Sequence, residues 1–307
     1  MSQWSDIIYW LIAHRNSRIV STFCYVISLN YPLFLYCFLK WKRHGILWLG
    51  EKACFSLSFD CDYEEDVKAL PHLLDILDQY RIPASFACIG RWIEEFPDIH
   101  RNLLDKGHEI INHTYSHPDN EVLNPERKFN QLSRGEKKEE IERCHRVCHE
   151  LLKYEPIGFR TPHFGKLFSS ADYQILKEIG YVYSSSTVSI RTSENGQPFL
   201  TKEGILEIPL STCPRHPFSV FDSWHTTSER TPGSVHRSSS EFVKLFKQLI
   251  DLAIRSHSYI NLYFDPQDII KVEGFEQILQ YLTDKKDRIF VATYDEISRT
   301  TTRNEQR

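Results

Sequence analysis

From Gly50 onward, short apolar runs alternate with stretches whose apolar positions recur every three or four residues. The runs predict strands over 53–59, 84–89, 109–112, 157–159, 181–184, 206–209, 259–264 and 289–292. Between them lie helical patterns. In "DVKALPHLLDILDQY" (66–80), Leu70, Leu73, Leu74 and Leu77 fall on one face. "SSADYQILKEIG" (169–180) opens on a serine cap and closes on Gly180, and "SSSEFVKLFKQLIDLAIRS" (238–256) opens in the same way. Strand and helix in repeated alternation call for a parallel sheet with helical crossovers, and residues 50–300 suit a closed (β/α) barrel. Such a fold places its chemistry at the C-terminal ends of its strands. Residues 211–238 are rich in Ser, Thr, Pro and His and are too long for a simple connector, which marks a lid or substrate loop.

The first 49 residues follow a different pattern. "IVSTFCYVISLNYPLFLYCFL", Ile19 to Leu39, carries no charge, and Arg15, Arg18, Lys40, Lys42 and Arg43 bracket it. That length spans a bilayer core, with Trp41 and the tyrosines suited to the interface. Asn30 and Pro32 interrupt the run, so a packed hydrophobic helical hairpin is the alternative. The stretch lacks the small-residue cleavage site of a signal peptide. The excess of basic residues on its C-terminal side predicts a membrane-associated protein whose large domain lies in the cytoplasm. The expected organisation is thus a hydrophobic segment over 1–49, a barrel over 50–300 and a polar tail over 301–307.

Composition narrows the function. There are 37 Lys and Arg against 41 Asp and Glu, a net charge of −4, so no basic field recommends a nucleic-acid partner. The 8 cysteines show no paired spacing of a disulfide framework and suit a reducing compartment. Cys144 and Cys148 lie one turn apart on a helical pattern, but no second pair is spaced to complete a zinc site, so they read as helix packing.

The candidate chemistry stands at the strand ends. The first run ends in Asp60 and Asp62, the third leads to His113 and His117, the fourth to Arg160 and His163, and the seventh to Asp265. Alternate residues of an extended segment face one side, so both aspartates can address the same rim. Two histidines four apart can share a metal on one helical turn or a tight loop, and a carboxylate with two imidazoles makes an open site of the hydrolytic kind.

"SFDCD", "HTYSH" and "FRTP", in this order, resemble the first three motifs of the NodB-type polysaccharide deacetylases, carbohydrate esterase family four. "YFDPQD" looks like the family's late motif. The resemblance implies a distorted (β/α) barrel and a metal-dependent hydrolase that removes an acetyl group, usually from an N-acetylated sugar of a polysaccharide or lipid-linked glycan. It makes Asp60 the base and Asp62, His113 and His117 the ligands of a divalent metal, zinc first, with cobalt or nickel as alternatives. Arg160 resembles the arginine that holds the base through a bidentate pair and keeps its pKa low. A backbone N–H in the turn after Arg160 would serve the oxyanion, with Pro162 fixing that turn.

Two departures from the family pattern matter. Cys61 separates acids that are adjacent in the commonest form. Asp265 stands before Pro266, where the family usually has histidine, so the general acid is open between Asp265, His163, His225 and His216. Phe164, Phe218, Phe221 and Trp224 are candidates for stacking on a sugar ring. The alternatives are a catalytically weakened carbohydrate-binding protein on the same barrel and an amidohydrolase of a non-sugar amide.

Overall fold

The computed structural model describes residues 52–163, 170–189, 192, 196–214, 219–226 and 239–305, together with positions 19, 23, 26 and 27. The strands are β1 (Ala53–Cys61), β2 (Ser85–Cys88), β3 (Glu109–Asn112), β4 (Gly158–Phe159), β5 (Tyr183–Ser184), β6 (Phe199–Leu200), β7 (Leu206–Glu207), β8 (Tyr259–Phe264) and β9 (Ile289–Val291). Each predicted run holds one of them, several in shortened form. The short antiparallel β6, paired with β7, is an addition that the pattern did not indicate.

The helices in chain order are α1 (Glu64–Tyr80), α2 (Gly90–Glu95), α3 (Pro97–Asp105), α4 (Arg134–Val147), α5 (Ser170–Ile179), α6 (Ser223–Thr226), α7 (Ser239–Ser256), α8 (Pro266–Ile269), α9 (Phe275–Thr283) and α10 (Tyr294–Glu305). At the start of α1 the Tyr63 N–H donates to Asp66 Oδ2 (3.1 Å), and Glu64, Glu65 and Asp66 place acids in the first turn, where the helix dipole favours them. The final helix runs through the expected boundary at residue 300, and Thr301 is buried with its hydroxyl on the Ile297 carbonyl (2.9 Å).

The sheet order is β6-β7-β5-β4-β3-β2-β1-β8, parallel throughout except for the β6–β7 pair. Strand β1, next to β8 at the end of this order, has three partners. It pairs with β8 along Cys54–Phe59, while β9 takes its other edge at Ala53–Phe55 and β2 takes that edge at Ser58–Cys61. The barrel is distorted rather than closed by a continuous ladder. Strands β4, β5 and β7 have two residues each, too few to carry a ladder round. Among the described residues the sheet edges meet at a seam, where the Ser211 N–H donates to the Asn261 carbonyl (2.8 Å) and the Asn261 N–H to Ser211 Oγ (3.0 Å).

Period-two alternation sorts β1 into two faces. Phe55, Leu57, Phe59 and Cys61 join the core beneath the helices, with Leu70, Leu73, Leu74 and Leu77 of α1 and Phe242 and Phe246 of α7. Each such side chain contributes about 1.5–3 kcal/mol on burial. Ser56, Ser58 and Asp60 point to the barrel interior, whose floor is closed by Ala87, Ile111, Tyr183, Tyr259 and Tyr294. The six cysteines among the described residues are buried free thiols, and Cys144 and Cys148 belong to the core.

No helix among the described residues is long and apolar enough to cross a membrane. The predicted span 19–39 lies outside the described residues except for helical positions 19, 23, 26 and 27.

Candidate metal centre and catalytic site

Strand β1 carries Asp60 and Asp62 to the rim, and His113 and His117 enter from the turn after β3. That turn is a tight loop rather than a helical one: Thr114 and His117 take left-handed backbone conformations (φ 69° and 48°). Short-range polar contacts impose this shape. Asn112 Oδ1 accepts the Thr114 N–H (2.8 Å), and Thr114 Oγ1 accepts the His117 N–H (3.0 Å). Glu140 of α4 braces the middle, accepting the N–H groups of Tyr115 (3.1 Å) and Ser116 (2.9 Å) and the Ser116 hydroxyl (2.9 Å).

The loop aims both imidazoles at one point. His113 Nδ1 lies 2.8 Å from the Arg160 carbonyl and must donate to it, which turns Nε2 towards Asp62 Oδ1 at 3.2 Å. His117 Nε2 lies 3.5 Å from the same oxygen, and the three candidate ligand atoms fall within 4.8 Å of one another. The Asp62 backbone carbonyl is anchored by Asn120 Nδ2 (2.8 Å) and Trp92 Nε1 (3.2 Å). One carboxylate and two imidazoles converge on one volume, with the Asp62 backbone and the His113 ring held from behind, and they fit a divalent ion with open positions for water and substrate.

The protonation states of Asp62 and His117 suit that role. Burial works against charge on Asp62, but His117 and His113 more than offset it and hold the carboxyl well below its usual range. Burial, reinforced by His113 and His163 against the pull of Asp62, lowers His117 to about 3 and leaves it a neutral ligand. His113 is raised, since the Asp62 hydrogen bond and the Asp60 charge outweigh its burial.

Asp60 is buried beside this cluster, and its Oδ1 accepts a short hydrogen bond from Arg160 Nη1. The expected bidentate pair is not formed. The guanidinium is shared instead: Nη2 donates to Ser58 Oγ (3.0 Å), Ser185 Oγ (3.2 Å) and Tyr294 Oη (2.5 Å), and Nε donates to the Ser185 carbonyl (3.2 Å). Nor does Arg160 keep the Asp60 pKa low. Burial outweighs the Arg160 and His113 charges, and Asp62 adds to it, so the Asp60 carboxyl sits above its usual range.

His163 comes to the same rim. It is half-exposed, with its ring 5.0 Å from that of His117 and Nε2 3.6 Å from Asp119 Oδ2. Pro162 is buried beside it. The Thr161 N–H is taken by Ser186 Oγ (3.0 Å), so an oxyanion donor from this turn must lie beyond Pro162. Phe164, His216 and Phe218 lie outside the described residues.

Asp265 follows β8 and is buried, with its N–H on Ser223 Oγ (2.8 Å). Trp224 and His225 sit on α6, part-exposed. Phe221 is core rather than a sugar platform, fully buried with its ring 5.4 Å from that of Phe242.

Residues not singled out from the sequence complete the mouth. Beneath Arg160, Tyr294 Oη donates to Asn261 Oδ1 (2.7 Å) and lies 2.8 Å from Ser58 Oγ, and Tyr263 Oη donates to Asp222 Oδ2 (2.8 Å). The available signal was alternation: "SLSFDCD" and "YINLYFD" place polar side chains at every second position of otherwise apolar strands.

A polysaccharide deacetylase family model matches residues 50–184. A peptidoglycan-N-acetylglucosamine deacetylase of Bacillus cereus is 33% identical over 112 residues, 36% of this chain and 37% of that protein. The match thus spans well under two-thirds of that relative's length. Among solved structures, a putative polysaccharide deacetylase from Mycobacterium smegmatis superposes with a TM-score of 0.70 at 18% identity, covering 85% of this chain and 94% of that one. Puue allantoinase superposes at 0.63 and 13% identity, covering 84% and 93%. At these identities the structural likeness is one of fold. It extends the agreement in fold beyond the matched stretch, and it is residues 50–184 that carry the match to the polysaccharide deacetylase family.

Proposed function

We propose that the chain is a metal-dependent hydrolase that removes an N-acetyl group from a sugar of a polysaccharide or lipid-linked glycan. The observation that carries this reading is the convergence of Asp62, His113 and His117 within 4.8 Å, next to the buried Asp60–Arg160 pair. A divalent ion held there, zinc first, would polarise the amide carbonyl and acidify a water. Asp60, buried two residues before Asp62, would accept the proton of that water. Arg160 holds Asp60 in place, and the wall formed by Ser58, Ser185 and Tyr294 holds Arg160.

Acetate release from N-acetylhexosamine oligomers and lipid-linked sugars tests the reading. The zinc-loaded protein releases acetate, while chelated protein and Asp60→Asn do not; release that survives both changes refutes it.

A second reading applies the same residues to a non-sugar amide. Asp265 at the usual histidine position and the fold shared with an allantoinase favour it, and a substrate panel separates the two. Anchoring at a membrane, with the domain in the cytoplasm, is part of the first reading. Ile19, Phe23 and Val26, 82%, 53% and 52% exposed at helical spacing, support it, and fractionation of the full chain tests it.

A further inference from the structure

Across the mouth from the metal cluster stand acids that this chemistry does not use. Tyr263 shares a face of β8 with Asn261, which bonds to Tyr294 beneath Arg160. The Tyr263 ring lies 5.3 Å from the Arg160 guanidinium carbon, and its hydroxyl meets Asp222 Oδ2 at 2.8 Å. Asp222 Oδ1 in turn accepts the His225 N–H (2.6 Å) from its own segment. Tyr263 therefore links Asp222 to the Asp60–Arg160 pair. The charges around it are Asp60 from β1, Asp222 and Asp265, with Arg160 opposite.

Asp222 is buried and reached by two donors, the His225 N–H and the Tyr263 hydroxyl. Burial, with the charge of Asp60 added and against the hydrogen bonds from His225 and Tyr263, raises its carboxyl to about 6.

We propose that Tyr263 and Asp222 are the proton-delivery couple for the leaving amine, the role left open by the absence of histidine at position 265. The inference rests on the deacetylase reading. Protonation of Asp222 at Oδ2 reverses its 2.8 Å hydrogen bond with Tyr263 and frees the phenol proton; as the C–N bond breaks, nitrogen keeps the electron pair and takes that proton, while the tyrosine oxygen takes the proton of Asp222. Asp222 ends as a carboxylate and is reprotonated by the proton that Asp60 removed from water, so only water is consumed. Tyr263 is the catalytic group, and Asp222 acts through it.

The test compares wild type, Tyr263→Phe and Asp222→Asn, all zinc-loaded, on N-acetylhexosamine oligomers and on an aryl acetate whose phenolate leaves without a proton. The glycan rate should fall roughly 10²–10⁴-fold in both variants. The aryl acetate rate should fall far less, and the alkaline limb of the glycan pH profile should vanish in Asp222→Asn. Equal losses on both substrates, or an unchanged glycan rate, overturn the couple.

Infrared spectroscopy gives a readout independent of turnover. Wild type should show a carboxylic-acid band that titrates away near pH 6 and is missing from Asp222→Asn. Its absence from wild type overturns the couple. A wild type that has the band and cleaves the aryl acetate but no glycan overturns the deacetylase reading instead.

Discussion

The two walls of the mouth are built in opposite ways. On the wall with the His113–His117 turn, the Arg160 carbonyl fixes His113, Asn120 and Trp92 fix the Asp62 backbone, and Asn112 with Glu140, the one acid, fixes the turn itself. On the β8 wall, Asp222, Tyr263 and Asp265 are buried beside one another with Arg160 as the nearby cation. The first arrangement settles charge states and suits a group that must hold still. The second leaves a carboxyl poised near neutrality, which suits a group that must exchange a proton. Residues 50–184, the stretch matched by the family model, hold the first wall and not the second.

The comparison breaks most visibly at the ligands. His117→Ala should cost more metal affinity than the roughly 10–100-fold typical of losing an outer partner, and acetate release should fall with it. Calorimetric zinc titration checks this. Retained affinity would mean that the turn does not hold the ion.

The opposite wall should show itself in stability. The Asp222 carboxyl is raised from an ordinary 3.8 to about 6 in the folded protein, so the folded state binds the proton more tightly than the unfolded one. The stabilisation is complete below about pH 4 and is lost as pH rises through about 6, a change on the order of 3 kcal/mol. Urea melts across that window should show this slope in wild type and lack it in Asp222→Asn. A parallel slope in both would remove the distinction between the walls.

The brace behind the metal wall predicts a smaller effect. Glu140→Ala strips the acceptor from two backbone N–H groups and one hydroxyl of the turn. Zinc affinity should weaken by about tenfold, the low end of the range for an outer partner, with the pH profile of turnover unmoved.

What could be read from the sequence divides along the same line. Strand positions and the five residues Asp60, Asp62, His113, His117 and Arg160 were legible because period two and short spacings are local properties. Glu140 was not: it sits among other charges in "EKKEEIER", and only the approach of α4 to the turn after β3 separates it from its solvent-facing neighbours. Asp222 lies in an irregular stretch that pattern could describe only as a loop, and the neighbouring Phe221 read as a sugar platform although the core claims it. Such roles depend on how the sheet curls, which no local spacing encodes.

Tyr294 tests whether the two walls are coupled. Its hydroxyl sits beneath Arg160 and bonds to Ser58 on β1 and Asn261 on β8, while its backbone N–H is held by Ser85 Oγ (3.1 Å) and Glu109 Oε2 (3.0 Å). Tyr294→Phe keeps the ring and the start of α10 but leaves Asn261 Oδ1 without this donor, at a cost of about 1–3 kcal/mol. If the hydroxyl only supports the fold, stability falls and turnover per folded molecule stays. If it also holds Arg160 against Asp60, kcat falls about tenfold at unchanged KM and unchanged zinc affinity, the smallest of these effects on turnover. The second result is the expected one, because Arg160 Nη2 loses its 2.5 Å partner and the guanidinium gains freedom to turn away from the base.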